Sequence, residues 1–377
     1  MRLRHLAVGL AVAATVAAAG CSADDGGRPT GAPDGSPTQA TSGAATGTPG
    51  PAPDATDLAW TALPELPDDE SPQAASSAYV VSRTADRKSV VVRNGTATKE
   101  LGRYPAPAGF EVSNVVLAPP YLVIASADPV NMSDERMSLI DLESGTTRRL
   151  GPDAPDLWEG LWSIGHGVLT YGAHGERRSF CITEADLTNL RGTPVDCVPR
   201  GQGMHQVKQS PWGYGYVRFE NNDEGSCGTA RVRRGDDEPV DVDGPGPCRV
   251  WEAMPLAGDG AIWSEVPDPQ QIEVAEVFLR EDGGEQQSLG YGTTGSLTWC
   301  GDALWILRQM ESTLMRWTPG KGLEKAYRID MEVDPEKVSV LSTPICAGDA
   351  ISISELIAAP GHGNREILHV ARVAGDS

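Results

Sequence analysis

Hydrophobic and polar positions divide the chain into three stretches. Residues 6–19 form an apolar run broken only by Gly9 and Thr15, with Arg2, Arg4 and His5 before it and Gly20-Cys21 after it. From Ser22 to Asp57 no Val, Ile, Leu, Met, Phe, Trp or Tyr occurs. From Leu58 onward, short alternating segments appear that predict strands by their period of two. Seven of these open on a turn residue and continue with β-branched, aromatic and aliphatic positions: Ala78-Tyr79-Val80-Val81, Pro120-Tyr121-Leu122-Val123, Gly167-Val168-Leu169-Thr170, Gly213-Tyr214-Gly215-Tyr216, Gly260-Ala261-Ile262-Trp263, Asp302-Ala303-Leu304-Trp305 and Asp349-Ala350-Ile351-Ser352. Counted from their second residues, the spacings are 42, 47, 46, 47, 42 and 47.

Each segment is followed by a polar loop and a second β-rich stretch, such as residues 136–142, then by a Gly-containing turn and a third, such as 146–150. Each is also preceded by one, such as 161–164. Four strands in a period of this length resemble the blade of a β-propeller, across residues 58–377. The resemblance implies an all-β, seven-bladed ring, with six or eight blades as the alternative counts. The Trp-Asp and Gly-His signatures of WD-repeat proteins are not regularly placed. The final repeat has strands near 340–345, 350–357 and 366–373 and no fourth. Residues 58–63 stand unused before the first repeat, so they are expected to pair with the last blade and cover its open edge.

The first 20 residues read as an export signal, since their apolar run is shorter than the ~20 residues of a membrane-spanning helix. Small residues directly before Cys21 resemble the lipobox of bacterial lipoproteins, although Ala18 stands where that family usually has Leu. The resemblance implies cleavage before Cys21, a diacylglycerol on its sulfur and a protein held on the outer face of the cell membrane. Residues 21–57 are then expected to be a disordered tether, since their composition cannot offset the entropy of folding, and residues 58–377 the folded body. Arg outnumbers Lys among the 31 basic residues, a bias that resembles lipoproteins of high-G+C Gram-positive bacteria. The formal charge of −21 opposes binding to phosphate backbones, so no nucleic acid partner is expected.

Beyond Cys21, six cysteines remain at 181, 197, 227, 248, 300 and 346, an even number that suits disulfides in an exported protein. The repeat places Cys181 and Cys197 at one end of a single hairpin in blade 3, and Cys227 and Cys248 in nearly equivalent places one blade later. Cys300 and Cys346 share the same turn of successive blades and are left to each other. No Cys pair has zinc-ligand spacing.

No Gly-x-Ser-x-Gly elbow, His-Glu-x-x-His helix, Walker loop or Rossmann glycine pattern occurs, and no cofactor is expected. Residues 220–225 resemble the start of an EF-hand loop, but Arg231 occupies the position of the bidentate Glu. Arg234-Gly235-Asp236 reads as a turn. Trp162, Trp263, Trp299, Trp305 and Trp317 fall in strand patterns and are expected in the core. Trp158, Trp212 and Trp251 are expected at or near connections between blades. Together with His174, Arg177, Arg200 and His205, Trp158 and Trp251 are candidates for a ligand face on the loops of one rim. The leading functional reading is a non-catalytic, membrane-tethered propeller that binds a protein, peptide or cell-wall glycan. The alternative is an extracytoplasmic propeller enzyme, a glycosidase, lyase or quinone-dependent dehydrogenase, with carboxylate pairs such as Asp128 and Asp134 or Glu265 and Asp268 at the channel mouth.

Overall fold

The computed structural model of the chain describes residues 52–55, 57–130, 135–149, 162–165, 167–174, 179–187, 191–199, 202–222, 225–268, 270–329, 338–359 and 363–373. The leader, Cys21 and most of the expected tether lie outside these. The described residues form seven antiparallel sheets, and each of the first six has four strands hydrogen-bonded in chain order. Blade 1 runs from Glu70 to Pro105, blade 2 from Glu111 to Arg149, blade 3 from Trp162 to Val198, blade 4 from Gly203 to Asp241, blade 5 from Val250 to Thr293 and blade 6 from Thr298 to Arg328. Blade 7 spans Val338–Arg372 and is completed by Trp60–Ala62. Its innermost strand is split into Val338–Leu341 and Ile345–Ala347, both paired with Ala350–Ala359. Helix is limited, among the described residues, to one 3-10 turn at Gln309–Glu311.

The repeating sequence segments are the second strands of the blades, starting at Tyr79, Tyr121, Val168, Gly213, Ala261, Ala303 and Ala350. These strands are buried on both faces, which is why they read as nearly continuous apolar runs. Seven apolar clusters form the core, one at each interface between neighbouring blades. Trp263 and Trp305 occupy equivalent third positions of their strands and are fully buried, and Trp299 and Trp317 pack in the cluster between blades 5 and 6.

Closure occurs between the two ends of the body. Trp60 pairs with Ala371, Thr61 with Val370 and Ala62 with His369, so the outer strand of blade 7 is N-terminal. Only three of the six expected residues are strand. Trp60 is half-buried against Trp305 and Tyr327, and its indole N–H donates to the Ala326 carbonyl (2.7 Å). Residues ahead of this strand also lie against the body. The Lys325 amide donates to the Pro53 carbonyl and the Ala55 amide to the Lys325 carbonyl, and Asp57 ion-pairs with Arg316.

All three expected disulfides are present. Cys181 and Cys197 sit directly opposite each other across one hairpin of blade 3. Cys300 and Cys346 join the innermost strands of blades 6 and 7. Cys227 bonds Cys248, but the expected equivalence with blade 3 does not hold. The fourth strand of blade 4 is only Val240–Asp241, so Cys248 lies beyond it, at φ 59° in the connection to blade 5. Arg234-Gly235-Asp236 is a turn closed by the Asp237 amide donating to the Arg234 carbonyl. Of the stretch from Glu220 to Gly225, Asp223 and Glu224 lie outside the described residues, and Asn222 and Gly225 pair between neighbouring strands of blade 4.

Candidate functional site

Of the candidate ligand residues, Trp158, Arg177 and Arg200 lie outside the described residues. His174 ends the second strand of blade 3, paired with Phe180. His205 and Trp251 come together, with ring centroids 5.5 Å apart, and the Phe219 ring lies 5.8 Å from the imidazole. Burial among these rings pushes the His205 pKa down to about 4, so the ring is neutral at pH 7 and acts as an aromatic wedge between blades 4 and 5. Trp212 is not in a connection between blades. It occupies the turn from first to second strand of blade 4 and packs edge-on against Trp299 (5.0 Å), because a Pro-Trp-Gly turn reads in sequence like any other loop.

The carboxylates considered for catalysis are otherwise engaged, where described. Glu265 accepts from the Trp263 indole (2.9 Å) and the Gly246 amide (3.0 Å). Asp268 and Asp128 each cap a turn, accepting from the amides of Gln270 and Val130. Asp134 lies outside the described residues. No group of three or more metal-ligating side chains occurs among the described residues.

The innermost strands of blades 2, 3, 4, 6 and 7 surround a cavity of about 670 Å³ that extends to the turns between first and second strands. That size lies within the range of roughly 300–1,000 Å³ typical of small-ligand sites. Asn114, Ser163, Gln206, Gln209, Thr298 and Thr343 supply neutral polar groups to its wall, and Tyr121 and Trp299 supply aromatic ones. No carboxylate is among its described lining residues, and neither His205 nor Trp251 lines it.

Lys208 is the one charged side chain among the described lining residues, and its charge is already balanced. Its ammonium lies 3.1 Å from Glu252 Oε2 and donates to the Gly295 carbonyl (2.7 Å). Glu252 is fully buried and accepts from the Gly295 amide (3.0 Å) and the Ser264 hydroxyl (3.3 Å). A buried carboxylate needs such partners, since it gives up hydration worth several kcal/mol. The cluster thereby locks the inner strands of blades 4 and 5 to the connection entering blade 6.

Gln206 has the least usual backbone in this wall. It lies at φ 58°, a left-handed conformation that costs a non-glycine residue roughly 1 kcal/mol. The cause is a bulge: the pairs His205–Val217 and Lys208–Gly215 leave Gln206 and Val207 together opposite Tyr216. Val207 turns into the cluster between blades 3 and 4, and Gln206 faces the cavity. Sequence reasoning missed Gln206, Asn114 and Lys208. No motif marks them, and a bulge cannot be located from alternation when both of its residues lie in a mixed polar stretch.

No protein-family model and no curated protein matches the sequence. Solved structures are similar in fold. A catalytically inactive virginiamycin B lyase from Staphylococcus aureus, crystallised with quinupristin, is 12% identical with a TM-score of 0.51, over 84% of this chain and 100% of that one. The β-propeller domain of the trilobed protease from Pyrococcus furiosus is 10% identical with a TM-score of 0.52, over 81% of this chain and 97% of that one. A prolyl endopeptidase is 11% identical with a TM-score of 0.52, over 80% of this chain and 50% of that one. At such identities the likeness establishes the β-propeller and leaves chemistry open, because one fold hosts unrelated functions.

Proposed function

We propose that this protein is a lipid-anchored, extracytoplasmic propeller that binds a ligand inside its ring without transforming it. The observation that carries the reading is the central cavity, whose described wall offers amides and hydroxyls from five blades but no carboxylate and no unbalanced charge. Such groups hold and orient a ligand, whereas general acid–base chemistry asks for a titratable side chain within reach of the reacting atoms. Three disulfides favour an oxidising compartment, in keeping with the leader and Cys21. Anchoring by a diacylglycerol on Cys21 is supported by the apolar leader and the small residues directly before that cysteine.

The test places a photoreactive side chain at Thr343 in the cavity wall and, separately, at Met310, exposed in a loop of blade 6. After irradiation in the native envelope, intact-mass measurement of the purified protein should show a discrete adduct at position 343 and none at 310. No adduct at 343 sinks the cavity as the ligand site. In parallel, Cys21→Ser should release the protein from membranes or block its processing; an unchanged membrane fraction counts against the anchor.

A further inference from the structure

The geometry points to a neutral, hydroxyl-rich saccharide as the ligand of the central cavity, with the Gln206 amide as its principal polar contact. This rests on the reading of the cavity as a binding site and deepens it. Gln206 is a strained residue whose side chain makes no hydrogen bond among the described residues, and it is turned to the cavity by a bulge. Its amide lies beside Gly295, where an added Cβ would come 3.8 Å from Nε2 and 3.9 Å from Oε1. Backbone strain that holds an unpartnered polar group over a cavity is a recurrent mark of ligand sites.

Three other blades aim polar groups at the same space. The Asn114 side-chain oxygen is taken by the Val115 amide, which leaves its NH2 donors to the cavity, and Ser163 and Thr343 make no side-chain hydrogen bonds among the described residues. Amides and hydroxyls both donate and accept, as sugar hydroxyls do, and the adjacent C=O and NH2 of Gln206 match two neighbouring hydroxyls. Tyr121 and Trp299 give an apolar wall for the C–H faces of a ring.

Charge and backbone decide against the other ligand classes. The Lys208 charge is balanced by Glu252, and a chain of net charge −21 repels anions. An extended peptide would seek a continuous strand edge. The inner edge of blade 4 is broken by the bulge at Gln206 and Val207, and that of blade 7 by the gap at 342–344.

The experiment is calorimetric titration of the full folded body with maltotriose, cellotriose and the trimer of N-acetylglucosamine, with N-acetyl-trialanine amide as the neutral peptide control. At least one trisaccharide should bind at one site per chain, with an affinity that changes less than about twofold as salt rises several-fold, since no charge is paired. Gln206→Gly should weaken binding at least about tenfold. Its melting temperature should stay equal or rise, because glycine adopts the left-handed conformation without penalty. A structural role for Gln206 would instead lower the melting temperature. The inference fails if no trisaccharide binds, if the peptide binds in their place, or if Gln206→Gly binds like the wild type. An adduct at position 343 together with any of these outcomes would leave the cavity a ligand site and overturn only the saccharide. No adduct at 343 would remove the cavity reading itself.

Discussion

Glu70 shows how single residues carry more of this fold than their sequence neighbourhood reveals. It starts blade 1 with a side chain only 2% exposed, and it accepts from Arg93, 23 residues away, and from the Ser82 hydroxyl, 12 away. Burial alone would raise its pKa, but the hydrogen bonds from Arg93 and Ser82 and the charges of Arg93 and Arg103 outweigh it and hold the carboxyl below its ordinary value of 4.5. A depressed folded-state pKa means that the stabilisation is present above pH 4.5 and is lost as the pH falls through the folded value. Glu70→Gln should therefore cost roughly 3 kcal/mol at pH 7, because it strands the buried Arg93 guanidinium. The difference from wild type should shrink as the pH falls below about 4.5, where the unfolded-state carboxyl takes up its proton, and should vanish once the folded carboxyl protonates as well. Urea titrations at pH 7 and pH 3.5 check this, and a pH-independent difference would show that packing rather than charge is at stake. None of the row Glu70, Ser82, Arg93 was legible beforehand, since alternation marks which face a residue takes and not which distant residue it meets.

Among the elements, the seven second strands were the most legible, because burial on both faces writes an apolar run that recurs with each blade. The first and fourth strands were less so. Their residues face the channel or the solvent on one side, and the fourth strand of blade 4 shrinks to two residues. The closing strand was legible as a surplus hexamer, yet the sequence placed the contact boundary at residue 58. The structure seats Pro53, Ala55 and Asp57 on blade 6, contacts made by backbone groups and one carboxylate in a segment without large apolar side chains. Three truncations separate these contributions. Removing residues 22–50 should leave the melting temperature unchanged. Removing 22–57 should cost about 1 kcal/mol, the scale of a few edge hydrogen bonds and an ion pair whose carboxylate is exposed, since the buried Arg316 keeps Glu324 as a partner. Removing 22–63 should cost roughly 3 kcal/mol more, as Trp60 leaves its contacts with Trp305 and Tyr327 and the edge of blade 7 is bared. Equal melting of the last two variants would mean that the N-terminal strand does not close the ring.

For the whole molecule, stability depends on holding seven blades in a circle whose core is distributed over seven interfaces. The disulfide between Cys300 and Cys346 acts at this scale, since it joins successive innermost strands across 46 residues of chain. The bridges of blades 3 and 4 close shorter separations of 16 and 21. On loop-closure entropy the long bridge should stabilise by about 1 kcal/mol more than the shortest. The double variant Cys300→Ser with Cys346→Ser should therefore lower stability by more than Cys181→Ser with Cys197→Ser, measured by denaturant unfolding. The reverse order would show that the long bridge does not constrain the ring.

Local chemistry alone sufficed for the periodic part of this protein: the strand-rich body, its seven repeats, the surplus N-terminal strand and the pairing of Cys181 with Cys197 across one hairpin. These follow from period-two alternation and turn residues, which act over a few positions and recur along the chain. The cavity, its balanced Lys208 and its strained Gln206 were decided only by the tertiary structure. They depend on residues from five blades meeting at one axis, and on a bulge that turns one amide inward while its neighbour enters the core. No interaction between sequence neighbours encodes that convergence, because it exists only once the ring has closed.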